Sequence, residues 1–116
     1  PEGQPCVLPG AEAFAFFEAS KESAPARRNA ITVESLEKVR EFDPVSLIHM
    51  LAPTALLAIA AERDSIIPLD AVRDAVARAG EPKRLVELPI GHFAIYDEPW
   101  RSQAVEEALG WFRTHL

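Results

Sequence analysis

The fold is decided by the stretch Thr54-Ala55-Leu56-Leu57-Ala58-Ile59-Ala60-Ala61. This stretch is a continuous apolar run that Pro53 introduces and Glu62-Arg63-Asp64 ends. It is short for a helix, and it lacks the alternation of apolar and polar residues that is typical of a strand with one solvent-exposed face. The run therefore predicts a parallel strand that is buried on both faces.

The residues after this run predict a second strand and two helices. A helix is expected over residues 68–79, with Gly80 as its C-terminal stop, and a strand over residues 84–89. A closing helix is expected over residues 100–116. The order strand, helix, strand, helix predicts parallel strands that a right-handed crossover joins. Residues expected on the inner faces of the helices are Val72, Ala75, Val76 and Ala79 in the first, and Val105, Ala108, Leu109 and Phe112 in the second.

The first half of the chain predicts loops and short helices. Residues 1–10 are rich in proline and glycine and indicate a loop, and residues 11–23 indicate a helix. Thr32 and Asp43 are the expected N-caps of two further helical segments, the second with proline at its first position. The chain is therefore divided into a loop and helical region, residues 1–52, and an α/β region, residues 53–116.

The composition excludes several classes of protein. The 116 residues are 48% hydrophobic and 26% charged, which is typical of one globular domain. Twelve basic and 18 acidic residues give a net charge of −6, which opposes binding to nucleic acid or to an anionic membrane. The single cysteine, Cys6, cannot form an intrachain disulfide. The longest apolar run, residues 52–61, reaches only half of the ~20 residues that a membrane-spanning helix needs. No signal peptide is recognised, so a cytoplasmic location is expected.

Asp64 and His92 are the residues most suited to chemistry. Each lies just beyond the carboxyl end of a predicted strand, and functional sites of open parallel sheets gather at that edge. A carboxylate that accepts a hydrogen bond from one imidazole nitrogen orients the ring, and the other nitrogen can then take a proton from a nucleophile. The alternative is that Asp64 caps a turn and His92 is an ordinary loop histidine.

Three segments resemble parts of α/β-hydrolases. Residues 53–68 resemble the strand and acid loop of that family, Leu88-Pro89-Ile90-Gly91-His92-Phe93 resembles its histidine loop, and residues 111–116 resemble the end of its last helix. The resemblance covers residues 43–116 and is closest to the branch of dienelactone hydrolases and acyl-peptidase-like esterases. It implies a serine-type hydrolase of an ester or related carbonyl compound, with Asp64 as the acid and His92 as the base of a catalytic triad.

The nucleophile of such a triad is missing from the sequence. The family order is nucleophile, acid, histidine, and the nucleophile stands on an elbow that usually reads Gly-x-Ser-x-Gly. The chain has no such motif, and Pro5 before Cys6 does not suit an elbow. The chain is therefore expected to be the carboxyl-terminal portion of a hydrolase. Its expected partners are a small-molecule substrate and either the missing amino-terminal half or a second copy of the chain, since two strands leave sheet edges unpaired.

The resemblance implies that residues 1–52 form helical lid elements over the active site. Phe14, Phe17 and Phe93 are then candidate substrate contacts, although for Phe14 and Phe17 a place in the core of the lid is the favoured interpretation. No cofactor and no metal are expected, because histidine, cysteine and acidic residues do not occur at metal-ligand spacing. A hydrolase-fold module without catalysis, used for binding or assembly, is the alternative function. A complete 116-residue protein that pairs as a homodimer is a third interpretation.

Overall fold

A computed structural model describes residues 8, 10–28 and 30–116 of the chain. The described residues up to Ala30 form one compact unit, and Ile31–Leu116 form a second. The elements, in chain order, are α1 (Ala11–Ala19), α2 (Val33–Glu41), a 3-10 helix (Pro44–Leu51), β1 (Leu56–Ala61), α3 (Leu69–Arg78), β2 (Lys83–Leu88), a short 3-10 helix (Ala94–Tyr96) and α4 (Trp100–His115). The second unit thus includes residues 31–52, and the domain division at residue 53 stays a prediction.

The described part of the chain is a mixed α/β structure with a small parallel sheet. Strands β1 and β2 pair in parallel, from Leu56 opposite Lys83 to Ala61 opposite Leu88. Helix α3 connects the two strands, as a crossover between parallel neighbours requires. The predicted order of strand, helix, strand and helix and the predicted parallel pairing are confirmed.

Two ion pairs attach the helices to opposite faces of β2. Arg73 of α3 binds Glu87 of β2 through two hydrogen bonds of 2.7 and 2.8 Å. Arg84 of β2 binds Glu107 of α4 at 2.7 Å. Because side chains alternate between the faces of a strand, residues 84 and 87 point to opposite sides of the sheet. The sheet therefore has α3 on one face and α4 on the other.

The core of the second unit lies between α3 and the sheet and continues under the segment after β2. Leu88 is the largest side chain that is fully buried. The buried apolar residues of this unit are Ala60, Ala75, Val76, Ala79, Leu88, Ile90 and Phe93. The predicted inner face of α3 is confirmed, with Val72 half-buried beside its three buried residues. Among the described residues, no helix is both long enough and apolar enough to pass through a bilayer.

Both predicted N-caps are present. The Thr32 hydroxyl accepts a hydrogen bond from the Ser35 N–H at 3.1 Å, and the Asp43 carboxylate accepts one from the Ser46 N–H at 3.2 Å. Each bond satisfies a backbone donor that the start of a helix leaves without an intrahelical partner. The residues after Asp43 form a 3-10 helix.

The strand that decides the fold is shorter and more open than predicted. β1 begins at Leu56 and not at Thr54, and most of its residues are half-buried and not buried on both faces. The reason is that, in the part of the chain that the structure describes, β2 is its only strand neighbour. Full burial of a parallel strand needs further strands and helices around it.

The predicted inner face of α4 is wrong at three of its four positions, and only Ala108 is among the less exposed residues. Val105, Leu109 and Phe112 are each about half exposed, at 51%, 45% and 52%. The less exposed positions of the helix are Ala104, Glu107, Ala108 and Trp111. The ion pair of Glu107 with Arg84 lies on this less exposed side of the helix, which faces the sheet.

Two helix ends also differ from the prediction. α1 ends at Ala19 and not near residue 23, and the Ser20 hydroxyl bonds back to the Phe17 carbonyl at 3.0 Å. At the end of α3 the backbone leaves the helix at Ala79, which is extended. Gly80 has no left-handed conformation there. A Cβ at this position would lie 2.6 Å from the Cβ of Ala52, so the glycine permits a close approach.

Candidate functional site

The parallel ladder continues beyond both strands and brings two loops together. The Glu62 N–H donates to the Leu88 carbonyl at 2.8 Å, and the Arg63 N–H donates to the Ile90 carbonyl at 2.9 Å. We call residues 62–68 the acid loop and residues 89–93 the histidine loop. Asp64 directly follows the last residue that donates to the ladder, so its position is determined by the backbone of the sheet.

A tight turn leads from β2 into the histidine loop. The Ile90 N–H donates to the Leu88 carbonyl at 2.8 Å, which is the i to i+2 bond of a γ-turn centred on Pro89. Proline suits this position because its φ is restricted and it has no N–H to satisfy. The turn directs the chain back over the end of the sheet, where His92 follows.

Asp64 is held by its own loop. Its Oδ1 atom accepts hydrogen bonds from the N–H groups of Ile66 and Ile67, both at 2.8 Å. This arrangement is an aspartate turn, in which a short carboxylate side chain bonds the backbone two and three residues on. The carboxylate plane is therefore oriented before any partner binds it.

The second carboxylate oxygen contacts His92. The His92 Nδ1 atom lies 2.8 Å from Asp64 Oδ2 and 3.0 Å from Oδ1. The Asp64 side chain is 9% exposed, and that of His92 is 24% exposed. A carboxylate oxygen of Asp64 and an imidazole nitrogen of His92 thus lie within hydrogen-bond distance.

The electrostatics favour an ionised Asp64. Burial acts to raise the pKa of the Asp64 carboxyl, but the hydrogen bonds from the Ile67 N–H, the His92 side chain and the Ile66 N–H outweigh it. The pKa is lowered as a result. A charged carboxylate at this place favours the tautomer of His92 that has its proton on Nδ1, and Nε2 is then the nitrogen that can accept a hydrogen bond.

The His92 ring is supported by Phe93. The two rings are arranged edge to face, with their centroids 4.7 Å apart and an angle of 81° between their planes. Phe93 is 9% exposed, so it packs in the core under the histidine. Its place beside His92 is therefore established, and its predicted role as a substrate contact stays a prediction.

A cavity of about 190 Å³ opens beside the Asp64–His92 pair. It is smaller than the 300–1,000 Å³ of sites for drug-sized ligands, but it exceeds the ~150 Å³ of an apolar cavity that binds benzene. Most of its lining is apolar, and the lining residues are Ile59, Ala60, Ala61, Asp64, Ile67, Val72, His92, Ile95 and Tyr96. The space next to the imidazole is therefore small and mostly apolar.

The other predicted site residues lie in the first unit. Phe14 is 69% exposed on α1. The ring of Phe17 packs edge to face against Phe16, and the guanidinium of Arg27 lies 4.8 Å above it. Their roles as substrate contacts stay predictions. Cys6 lies outside the residues that the structure describes.

One residue of the site was missed by the sequence reasoning. The Arg63 side chain donates from Nη2 to the Pro89 carbonyl, so Arg63 contacts the histidine loop through both its backbone and its side chain. Its position in the sequence, between the apolar run and Asp64, indicates that Arg63 lies near the site. That position does not indicate which carbonyl the flexible guanidinium contacts.

Within residues 8, 10–28 and 30–116, no three histidine, cysteine, aspartate or glutamate side chains are grouped as a metal site would require. No protein-family model matches the chain, and no curated protein matches it. In the described part of the chain, the candidate functional site is the Asp64–His92 pair with the apolar cavity beside it.

Proposed function

We propose that the chain carries the acid and the base of a serine-type α/β-hydrolase that acts on an ester or a related carbonyl compound. The observation that supports this function is the 2.8 Å contact between His92 Nδ1 and an Asp64 carboxylate whose other oxygen is held by two backbone N–H groups. An acid that is fixed in this way orients the imidazole and stabilises its protonated form.

The residues of the pair have distinct roles in the proposed reaction. His92 Nε2 accepts the proton of a serine hydroxyl as its oxygen attacks the carbonyl carbon. Asp64 stabilises the imidazolium without taking the proton itself. His92 then returns the proton to the leaving alcohol, and a second cycle with water as the attacking group releases the acid. The cavity beside the pair would take a small apolar part of the substrate.

The nucleophile of the proposed reaction is placed outside this sequence. Several described serine hydroxyls bond to neighbours other than His92: Ser20 to the Phe17 carbonyl, Ser23 to the Ser20 carbonyl, Ser35 to the Thr32 hydroxyl and Ser46 to the Asp43 carbonyl. We assign the attacking serine and the oxyanion donors to an amino-terminal half of the same hydrolase, in keeping with the family order.

The test compares ester hydrolysis by the 116-residue chain with that by a longer protein that includes upstream residues. The isolated chain should hydrolyse an activated ester no faster than its His92→Ala variant, because a base without a nucleophile gives little acceleration. In the longer protein, His92→Ala should lower kcat by roughly three or more orders of magnitude. His49→Ala is the matched control, since His49 is an exposed histidine of the same unit.

Each outcome decides between the proposed functions. Turnover in the longer protein that survives His92→Ala would contradict the assignment of His92. A longer protein that folds but shows no ester hydrolysis at all would favour the alternative, a hydrolase-fold module for binding or assembly. Turnover by the isolated chain that Cys6→Ala abolishes would place the nucleophile in this sequence.

A further inference from the structure

Arg63 joins the acid loop to the histidine loop by two different bonds. Its N–H donates to the Ile90 carbonyl at 2.9 Å, and its guanidinium Nη2 donates to the Pro89 carbonyl. One residue therefore satisfies two successive carbonyls of the histidine loop. The next residue in the chain is Asp64, whose carboxylate contacts His92.

The Pro89 carbonyl depends on the guanidinium because the γ-turn removes it from the ladder. The Leu88 carbonyl accepts from both the Glu62 N–H and the Ile90 N–H, and the Ile90 carbonyl accepts from the Arg63 N–H. Among the described residues, the Arg63 side chain is the donor that the structure gives to Pro89. Without it, the carbonyl at the centre of the turn loses this charged donor.

We propose that Arg63 is a positioning residue, whose guanidinium holds the γ-turn at Pro89 so that His92 Nδ1 stays on the Asp64 carboxylate. Its effect on turnover rests on the proposed function, but its effect on the geometry of the pair does not. Arg63 acts through the loop and not on a substrate. Its loss should therefore change the state of the imidazole before any reaction takes place.

The first measurement is the tautomer of His92, read from the 15N chemical shifts of its ring in the full 116-residue chain. The unaltered chain should hold the proton on Nδ1 at a pH where the ring is neutral, because the carboxylate accepts from that nitrogen. Arg63→Ala should give a mixture of the Nδ1–H and Nε2–H forms. Arg63→Lys, which keeps one cationic donor, should restore much of the Nδ1–H form.

Arg78→Ala is the matched control. Arg78 is also exposed, and its Nη2 also donates to a backbone carbonyl, that of Val45, at 2.8 Å. This bond joins α3 to the 3-10 helix Pro44–Leu51, away from the histidine loop. Loss of the same kind of bond at this place should leave the His92 tautomer unchanged.

The second measurement is amide hydrogen exchange at the two ends of the ladder. In Arg63→Ala, the N–H of residue 63 should exchange about tenfold faster, because a charge-assisted hydrogen bond no longer holds the loop closed. The Leu56 N–H donates to the Pro82 carbonyl at the opposite end of the ladder and should keep its rate. Equal acceleration at both ends would indicate global destabilisation and would contradict a local positioning role.

The proposal is overturned if Arg63→Ala is folded and retains the Nδ1–H form of His92. If Arg63→Ala does not fold, Arg63→Met decides, because it keeps an apolar stem but no donor, and a tautomer that is unchanged in this variant also overturns it. None of these results depends on ester hydrolysis. An altered tautomer together with an inactive longer protein would leave Arg63 as a positioning residue and would contradict only the proposed function.

Discussion

At the scale of single residues, Asp64 is the centre of the site because three N–H groups converge on one carboxylate. Two come from its own loop, Ile66 and Ile67, and the third is the imidazole of His92. The first two bonds are local, so the carboxylate is oriented by the backbone, and His92 binds a carboxylate that is already in place. This preorganisation is what the proposed function requires of a residue that orients a base.

Asp64→Asn should destabilise the chain at neutral pH by about 1–3 kcal/mol, because hydrogen bonds to a charged group are lost or weakened. The lowered pKa of Asp64 means that its ionised form stabilises the folded state above the ordinary value of 3.8. This contribution disappears as the pH falls through the folded-state pKa, which lies below that value. Urea unfolding of both proteins as a function of pH measures the difference.

Asp74→Asn is the control for this experiment, since Asp74 is exposed on α3. It should change the free energy of unfolding little at any pH. A difference in stability between the unaltered chain and Asp64→Asn that persists unchanged well below pH 3.8 would contradict the assigned hydrogen bonds.

At the scale of elements, the close approach of two segments explains Gly80. The residue after α3 lies against Ala52, which follows the 3-10 helix, with space for a hydrogen but not for a methyl group. The bond from Arg78 to the Val45 carbonyl joins the same two elements. These contacts keep the 3-10 helix against the crossover helix that leads into β2.

Gly80→Ala should therefore destabilise the chain by about 1–3 kcal/mol, the usual effect of overpacking. Gly110→Ala is the matched control in the same unit, because a Cβ there meets no atom within 4 Å. In the interior of α4 this change should stabilise by about 0.5–1 kcal/mol. The double variant Gly80→Ala with Ala52→Gly should recover part of the loss, and no recovery in urea unfolding would contradict the assigned contact.

The ion pair between α3 and β2 has a measurable dependence on salt. The bidentate contact of Arg73 lowers the pKa of the Glu87 carboxyl, and the contact with Glu87 raises the pKa of the Arg73 guanidinium. Both side chains are partly exposed, so the contribution to stability should be small. Arg73→Lys should lower the urea midpoint slightly, because lysine cannot form the bidentate contact.

The decrease in the urea midpoint that Arg73→Lys produces should be smaller at about 1 M salt, because charges are then screened within ~3 Å. An effect of the same size at low and high salt would show that the packing of the arginine stem, and not the ion pair, is responsible.

At the scale of the whole molecule, apolar surface remains exposed in the second unit. In the described part of the chain, β1 pairs only with β2, and its free edge has no charged residue or proline to discourage further pairing. α2 also exposes apolar side chains, with Val33 at 73% and Val39 at 64% exposure. Exposed apolar surface marks a site of interaction or a liability to aggregate where it forms a contiguous patch.

We expect the 116-residue chain to self-associate as its concentration rises, and Val39→Lys to reduce this association. Because the side chain is exposed, the free energy of unfolding should change by no more than about 0.5 kcal/mol. Sedimentation velocity over a range of concentrations measures the association. Glu37→Gln is the control on the same helix, since it changes the net charge equally without removing apolar surface.

A loss of stability in Val39→Lys that accompanies dissociation would show that α2 is needed for folding within an assembly. Equal association of the unaltered chain and Val39→Lys would place the contact elsewhere, and the free edge of β1 would then be the surface to alter.

The features that the sequence by itself determined are those that depend on neighbouring residues. The apolar run after Pro53 and the strand before Pro89 predict two parallel strands, because the length and composition of such runs are local properties. The N-caps Thr32 and Asp43 are predictable for the same reason, since each bonds an N–H three residues on. The order of the strands then places Asp64 and His92 at one edge of the sheet.

The tertiary structure decided the features that depend on the register of the strands, on the rotation of the helices and on contacts between distant residues. The 2.8 Å contact between Asp64 and His92 requires the ladder to continue to Arg63, and the sequence does not show how far a ladder extends. The inner face of α4 includes a long-range ion pair between Glu107 and Arg84, and the need for glycine at position 80 follows from the methyl group of Ala52, which is distant in sequence. Such contacts involve distant parts of the chain, and local patterns carry no information about their geometry.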